Sequence, residues 1–260
     1  MDLSEVRKTN VGGLITACIS RLDLVNLMVT KVKQDKQSPT PQTVKPLVIF
    51  SANGHSISIA NSDPVMGDML NQADILHADG QSVVTFSKHF SEYPIPERSA
   101  TTDTIHDVPT MSSEVLNHFL LGASKETIEK CADVMSAKYS NFKISGTQHG
   151  YFSEQEEQAI VDKINQSGTD VLWVGLGKPK EQVFIIRNRE KLNVPVIISC
   201  GGCYNFVTGD YKRAPEIFQT LGLEWLHRAF TEPRKLLWRY ITTNPHAIYC
   251  VIKHRHKKVG

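Results

Sequence analysis

An alternation in the sequence most constrains what this chain can fold into. Short apolar runs rich in β-branched residues recur at 47–50, 115–121, 142–144, 171–174 and 194–198. Between several of them lie helix-period segments at 125–138, 154–166 and 180–192. Strand and helix signals in turn predict an α/β fold, a Rossmann-like and largely parallel sheet flanked by helices. In that architecture ligands bind beyond the carboxyl ends of the strands. Four loops therefore matter: Ser51-Ala52-Asn53-Gly54, Asp79-Gly80-Gln81-Ser82 after Ile75-Leu76, Gly175-Leu176-Gly177-Lys178-Pro179-Lys180, and 200–205. The spacing lets all four meet in one crevice. The polar segment 33–44, with two prolines, reads as an exposed loop.

Charge divides the chain unevenly. Residues 211–260 carry ten Lys and Arg against three Glu, a balance of +7, so a total of +2 leaves the first 210 residues at −5. This change of character sets the expected organisation: an α/β catalytic domain over 1–210 and a basic, aromatic-rich helical appendage over 211–260. Pro215, Pro233 and Pro245 each stand where a helix can start, because the first helical turn tolerates proline. The tail thus reads as three short helices. Trp225, Leu237, Trp238, Tyr240, Ile241, Ile248, Tyr249 and Ile252 are interleaved there with Arg228, Arg234, Arg239 and Lys253. Such helices suit an anionic membrane surface, and packing of the aromatic residues in a core is the plainer alternative. Residues 1–10 carry charges and no long apolar run, so no secretory signal is expected, and no run is long enough to span a bilayer. Five scattered cysteines are no disulfide framework and point to a reducing cytoplasm. Cys200-Gly201-Gly202-Cys203 has redox-pair spacing, but at a strand end with no second pair it reads as structural.

Local chemistry does not by itself identify a reaction. Asp79, before Gly80 and a helix, is by residue type most simply an N-cap. Asn53 and Ser51 are common turn residues. The Gly175 and Gly177 loop, with Lys178 and Lys180 at a helix start, outlines a phosphate site of free backbone N–H groups and cations, or equally a ligand-free tight turn. It is neither a Walker loop nor G-x-G-x-x-G, because Lys180 holds the third glycine position, and this removes the case for a dinucleotide-dependent oxidoreductase. A nucleic-acid binder would account for the basic tail but not for the Asp-Gly and glycine loops.

Taken in order, Ser51-Ala52-Asn53, Ala78-Asp79-Gly80, Arg98 to Asp103, Gly146 to Phe152, Gly175 to Gln182, Lys212-Arg213-Ala214-Pro215, Gly222-Leu223-Glu224-Trp225 and Glu232-Pro233-Arg234 resemble the WecG/TagA/CpsF family of glycosyltransferases. The resemblance runs from about Val11 to Lys253. It implies inverting transfer of a sugar from a UDP-sugar to a polyprenyl-diphosphate-linked sugar in bacterial surface polysaccharide assembly. The setting it implies is the cytoplasmic face of the membrane, with the C-terminal basic helices docking there and completing the active site. Asp79 matches the family's candidate base, Asn53 is placed to orient a sugar or acceptor hydroxyl, and Ser51 keeps the hydroxyl of a family threonine.

An inverting displacement needs one base and no covalent intermediate. The departing UDP needs charge stabilisation, and the Asp-x-Asp motif of metal-dependent transferases is absent from the sequence. Neither a metal nor another cofactor is therefore expected; fixed cations and helix N-termini take that part. The donor and diphosphate candidates are Arg98, Asp103, Gly175, Gly177, Lys180, Glu181, Gln182, Arg228, Arg234 and Arg239. The expected partners are the UDP-sugar, the lipid-linked acceptor and anionic lipid, with no nucleic acid; self-association is compatible with the sequence. Three segments depart from the family pattern: Glu181-Gln182 replaces Gln-Glu, Tyr204-Asn205 replaces Phe-Asp, and Thr101 replaces a glycine. A non-catalytic sugar-nucleotide-binding or membrane-docking module is the alternative function.

Overall fold

The computed structural model describes residues 2–37, 45–215, 218, 225–226, 229 and 233–255, with backbone alone for 233–236. In chain order the elements are β1 (Lys8–Val11), β2 (Leu14–Ala17), α1 (Arg21–Gln37), β3 (Leu47–Ala52), α2 (Gly54–Ser62), α3 (Pro64–Asn71), β4 (Ile75–Ala78) and α4 (Gln81–Phe90). There follow α5 (Thr101–Met111), β5 (Leu116–Gly122), α6 (Lys125–Lys138), β6 (Phe142–Gln148), α7 (Glu157–Gln166), β7 (Val171–Gly175), α8 (Lys180–Asn188), β8 (Val196–Ser199), α9 (Cys203–Val207) and α10 (Pro233–Lys253). The fold is α/β, as the alternation predicts. A six-stranded sheet has the order β4-β3-β8-β7-β5-β6, and the pairings β3 with β8, β8 with β7, β7 with β5 and β5 with β6 are all parallel.

The chain forms two compact units. The first holds residues 1–3, 22–50 and 101–211. Its centre is β7, every residue of which is buried, as parallel strands covered on both faces require. Flanking helices bury apolar stripes at helical spacing: Ile128, Cys131, Ala132 and Met135 on α6, and Ile160, Val161 and Ile164 on α7. Ser124 caps α6 by accepting the Thr127 N–H, which fixes the start of a helix whose bounds match the sequence expectation. Segment 33–44 corrects the reading of an exposed loop, because α1 continues to Gln37; residues 38–44 lie outside those described. Lys36 near its end meets the buried Asp170 carboxylate at 2.8 Å, and a buried acid requires such a partner.

Residues 4–21, 51–100 and 212–260 make the second unit. It carries the antiparallel β1/β2 hairpin, α2, α3, β4, α4 and α10. The last two residues of β3, Ser51 and Ala52, also belong here. The tail departs from the expected three short helices, since Pro233 opens α10 but Pro245 lies inside it. Pro245 is exposed on that helix. Most of the helix expected from Pro215 lies outside the described residues. No helix among the described residues is long and apolar enough to cross a membrane.

Candidate active site

Within the second unit, the ends of β3 and β4 bring Ser51, Asn53, Asp79 and Arg98 together. The N–H groups of Asp79 and Gly80 both donate to the Ala52 carbonyl, at 2.9 and 3.2 Å, so the two strand ends are locked side by side. Gly80 permits this approach: a Cβ there would stand 3.1 Å from the Asn53 Cβ and 3.3 Å from its Cα. Asp79 is not the cap of α4. That position belongs to Gly80, and no side chain caps the helix. The structure thus removes the simplest local reading of Asp79.

Asn53 is the residue that does cap a helix. Its Oδ1 accepts the Ser56 N–H at 3.1 Å, while the Ser56 hydroxyl accepts the Asn53 N–H, a reciprocal capping box at the start of α2. Because Oδ1 is committed to Ser56, the amide orientation is set and Nδ2 faces Asp79, donating to its Oδ2 at 3.3 Å. Asn53, expected to orient a sugar or acceptor hydroxyl, thus has its Oδ1 at the helix start and one Nδ2 hydrogen bond to Asp79. Ser51 is buried, and its carbonyl accepts from the Ser56 hydroxyl at 3.3 Å. Arg98, half-buried, donates from Nε to the Asp79 carbonyl at 2.9 Å. Sequence reasoning missed Ser56, although the Asn-x-x-Ser spacing ahead of a helix signals it.

Glycine-loop candidates fall in the first unit. Gly175 ends β7 so close to its surroundings that a Cβ would lie 2.5 Å from the Tyr204 ring and 2.8 Å from the Gly201 carbonyl oxygen. Glu181 and Gln182 are buried rather than presented to a ligand. The Glu181 Oε2 accepts the N–H groups of Gly177 and Gly201, each at 3.0 Å, and Gln182 donates to its Oε1 at 3.2 Å. The reading of free backbone N–H groups is therefore corrected at Gly177, whose donor is spent inside the protein. Burial pushes the Glu181 carboxyl up, opposed by the charge of Lys178 and by these hydrogen bonds. Glu181 organises the loops after β7 and β8, and Lys180, at the first turn of α8, is the exposed cation beside them. Asp103 stands in the first turn of α5, half-buried.

The departures acquire a physical account at Tyr204, whose hydroxyl donates to the Trp173 carbonyl at 2.8 Å from a fully buried position. Cys200 and Cys203 are buried thiols outside any disulfide, and burial, then the neighbouring Cys203, pushes the Cys200 thiol well up. A thiol so placed is a packing group rather than a nucleophile.

Of the tail arginines, Arg228 lies outside the described residues and Arg234 sits in the first turn of α10. Arg239 lies against Tyr240, its guanidinium carbon 5.0 Å from the ring centroid. One face of α10 is apolar and exposed: Leu237, Trp238, Ile241, Ile248, Tyr249 and Ile252, with Trp238 74% accessible. At 3.6 residues per turn these six occupy an arc of roughly 120°.

The sequence profile of the glycosyl transferase WecG/TagA/CpsF family matches residues 9–259. An N-acetylglucosaminyldiphosphoundecaprenol N-acetyl-beta-D-mannosaminyltransferase of Bacillus spizizenii is 29% identical over 240 residues, covering 92% of this chain and 91% of the relative.

Proposed function

Because this chain belongs to the WecG/TagA/CpsF family of glycosyltransferases, we propose that it moves a hexose or N-acetylhexosamine-type sugar from a UDP-sugar to a polyprenyl-diphosphate-linked sugar, with inversion. The observation that carries this reading is the state of Asp79. It is released from capping α4, held on one carboxylate oxygen by Asn53 Nδ2, and fixed through its carbonyl by Arg98. A carboxylate so held is positioned to take a proton.

In the proposed reaction the acceptor hydroxyl attacks the anomeric carbon from the face opposite the leaving group. A new glycosidic C–O bond forms as the bond to the UDP oxygen breaks, and Asp79 takes the hydroxyl proton. Asn53 keeps the carboxylate oriented by donating to it. Charge on the departing diphosphate is met by cations, with Arg98, Arg234 and Arg239 as candidates and no divalent metal required. The relative's name specifies a diphosphoundecaprenol-linked acceptor, and a substrate of that class lies in a membrane.

The outer face of α10 then has an occupant, the lipid surface, on the cytoplasmic side. Six exposed apolar side chains supply the hydrophobic contact, and exposed Lys253 and Arg255 beside them attract anionic headgroups. On this reading residues 1–210 are the catalytic domain, and 211–260 dock on the membrane and complete the active site.

The test is incubation with a panel of UDP-sugars and a synthetic lipid-diphosphate-linked acceptor, with and without EDTA. Turnover with one donor and an inverted product supports the reading. Silence across the panel would favour a binding module, and EDTA inhibition reversed by magnesium or manganese would overturn metal independence.

A further inference from the structure

The chemistry assigned to Asp79 depends on Asn53, and Asn53 caps α2, a helix whose flank is covered by α10. Directly after Asn53, Gly54 lies so near α10 that a Cβ there would stand 3.7 Å from Asn244 Oδ1 and 3.9 Å from the Ala247 Cβ. One turn further along α2, the Ser58 hydroxyl is 2.9 Å from His246 Nδ1 of α10. On its other side the same imidazole places Nε2 3.4 Å from Cys250 Sγ, so the ring is held at both nitrogens. Ser58, Ala247 and Cys250 are all buried, and the small residues Gly54, Ser58 and Ala247 let the two helices approach closely. The apolar arc from Leu237 to Ile252 lies on the opposite, exposed side of α10.

We infer that His246 is a positioning residue for the Asn53 and Asp79 pair. This rests on the reading of Asp79 as the base. His246 touches no reacting atom. It pins α10 to α2 through Ser58, and α2 begins at the residue that orients the Asp79 carboxylate. A shift of α10 along or away from α2 loosens the first turn of α2, breaks the Asn53 capping box, and lets the Asp79 carboxylate turn. The helix that meets lipid on one face thus sets the geometry of the base through its other face.

The experiment uses the full chain with the donor found active in the panel and the lipid-diphosphate acceptor in phosphatidylglycerol-containing vesicles. His246→Ala and Ser58→Ala each lower kcat roughly tenfold, the effect of losing one buried hydrogen bond. Their double variant is no worse than either single one, KM for the UDP-sugar is unchanged, and co-sedimentation with vesicles is unchanged. His246→Asn, which retains a polar atom near the Nδ1 position, recovers most of the rate. Deuterium exchange at the amides of residues 53–58 rises in both alanine variants and stays near wild type in His246→Asn.

Wild-type kcat and exchange in both alanine variants, or strictly additive losses, would overturn the assignment. If wild type transfers no sugar, the proposed function fails, while the exchange data still decide whether His246 holds the start of α2. If His246→Ala does not fold, Ser58→Ala and His246→Asn carry the same comparison.

Discussion

Acid should strike the first unit at one histidine. His118 on β5 is 1% exposed, stacks on Phe142 with ring centroids 3.6 Å apart, and accepts the Trp173 indole N–H at Nδ1 over 3.1 Å. The proton of the neutral ring therefore resides on Nε2, which is buried with no hydrogen-bond partner among the described residues. Burial lowers its pKa from 6.5 to about 3. For a base depressed in the folded state, the unfolded chain binds the proton first, so stability is full above pH 6.5 and is lost as pH falls toward 3. At up to about 1.4 kcal/mol per pH unit, acidification from pH 6.5 to 4 should remove roughly 3 kcal/mol through this one ring. The comparison is urea unfolding of wild type and His118→Asn at about pH 7, 5.5 and 4. Asparagine keeps an acceptor for the indole and does not titrate. It should be the less stable protein at pH 7, and its deficit should shrink by about 3 kcal/mol by pH 4. Parallel pH curves for the two proteins would refute the assignment of a buried, neutral His118.

Three further outcomes follow from the site and the tail. Gly175→Ala drives a methyl group against the Tyr204 ring and the Gly201 carbonyl, and should cost about 1–3 kcal/mol in denaturant unfolding. Asn53→Asp keeps a helix cap but sets a second carboxylate beside Asp79; the acidic limb of the kcat profile should move to higher pH, and thermal stability should fall at neutral pH and recover on acidification. Trp238→Ser with Ile241→Ser removes two large side chains from the exposed face of α10, and should weaken vesicle co-sedimentation at least tenfold, at about 1.5–3 kcal/mol for each apolar side chain withdrawn from lipid.

Much of the sheet was legible because buried parallel strands are short, apolar and β-branched. The run expected at 171–174 is β7, and the helix expected at 125–138 has its own cap and a regular stripe. β6 was under-read, as its length comes from pairing with β5 out to Leu121 and Gln148 and not from its own apolar content. α1 was missed because Leu24, Val25, Leu27, Met28, Val29 and Val32 crowd together instead of forming a narrow stripe. Its polar end reads as loop until Asp170, 134 residues away, supplies a partner for Lys36. At the site, the loops after β3 and β4 were identifiable by composition. The reversal of capping roles between Asp79 and Asn53 was not, since it depends on Gly80 rather than Asp79 occupying the cap. Nor could sequence show Glu181 turned inward, because the amides it binds lie 4 and 20 residues away.

Asp79 as the base is tested most directly by comparing wild type with Asp79→Asn on the donor that turns over, with transfer rate, donor affinity and pH profile measured together. The account predicts a loss of about 10²- to 10⁴-fold in kcat, UDP-sugar affinity within a few-fold of wild type, and disappearance of the acidic limb of the profile. A variant that keeps more than a tenth of the wild-type kcat, or keeps the same acidic limb, would contradict it.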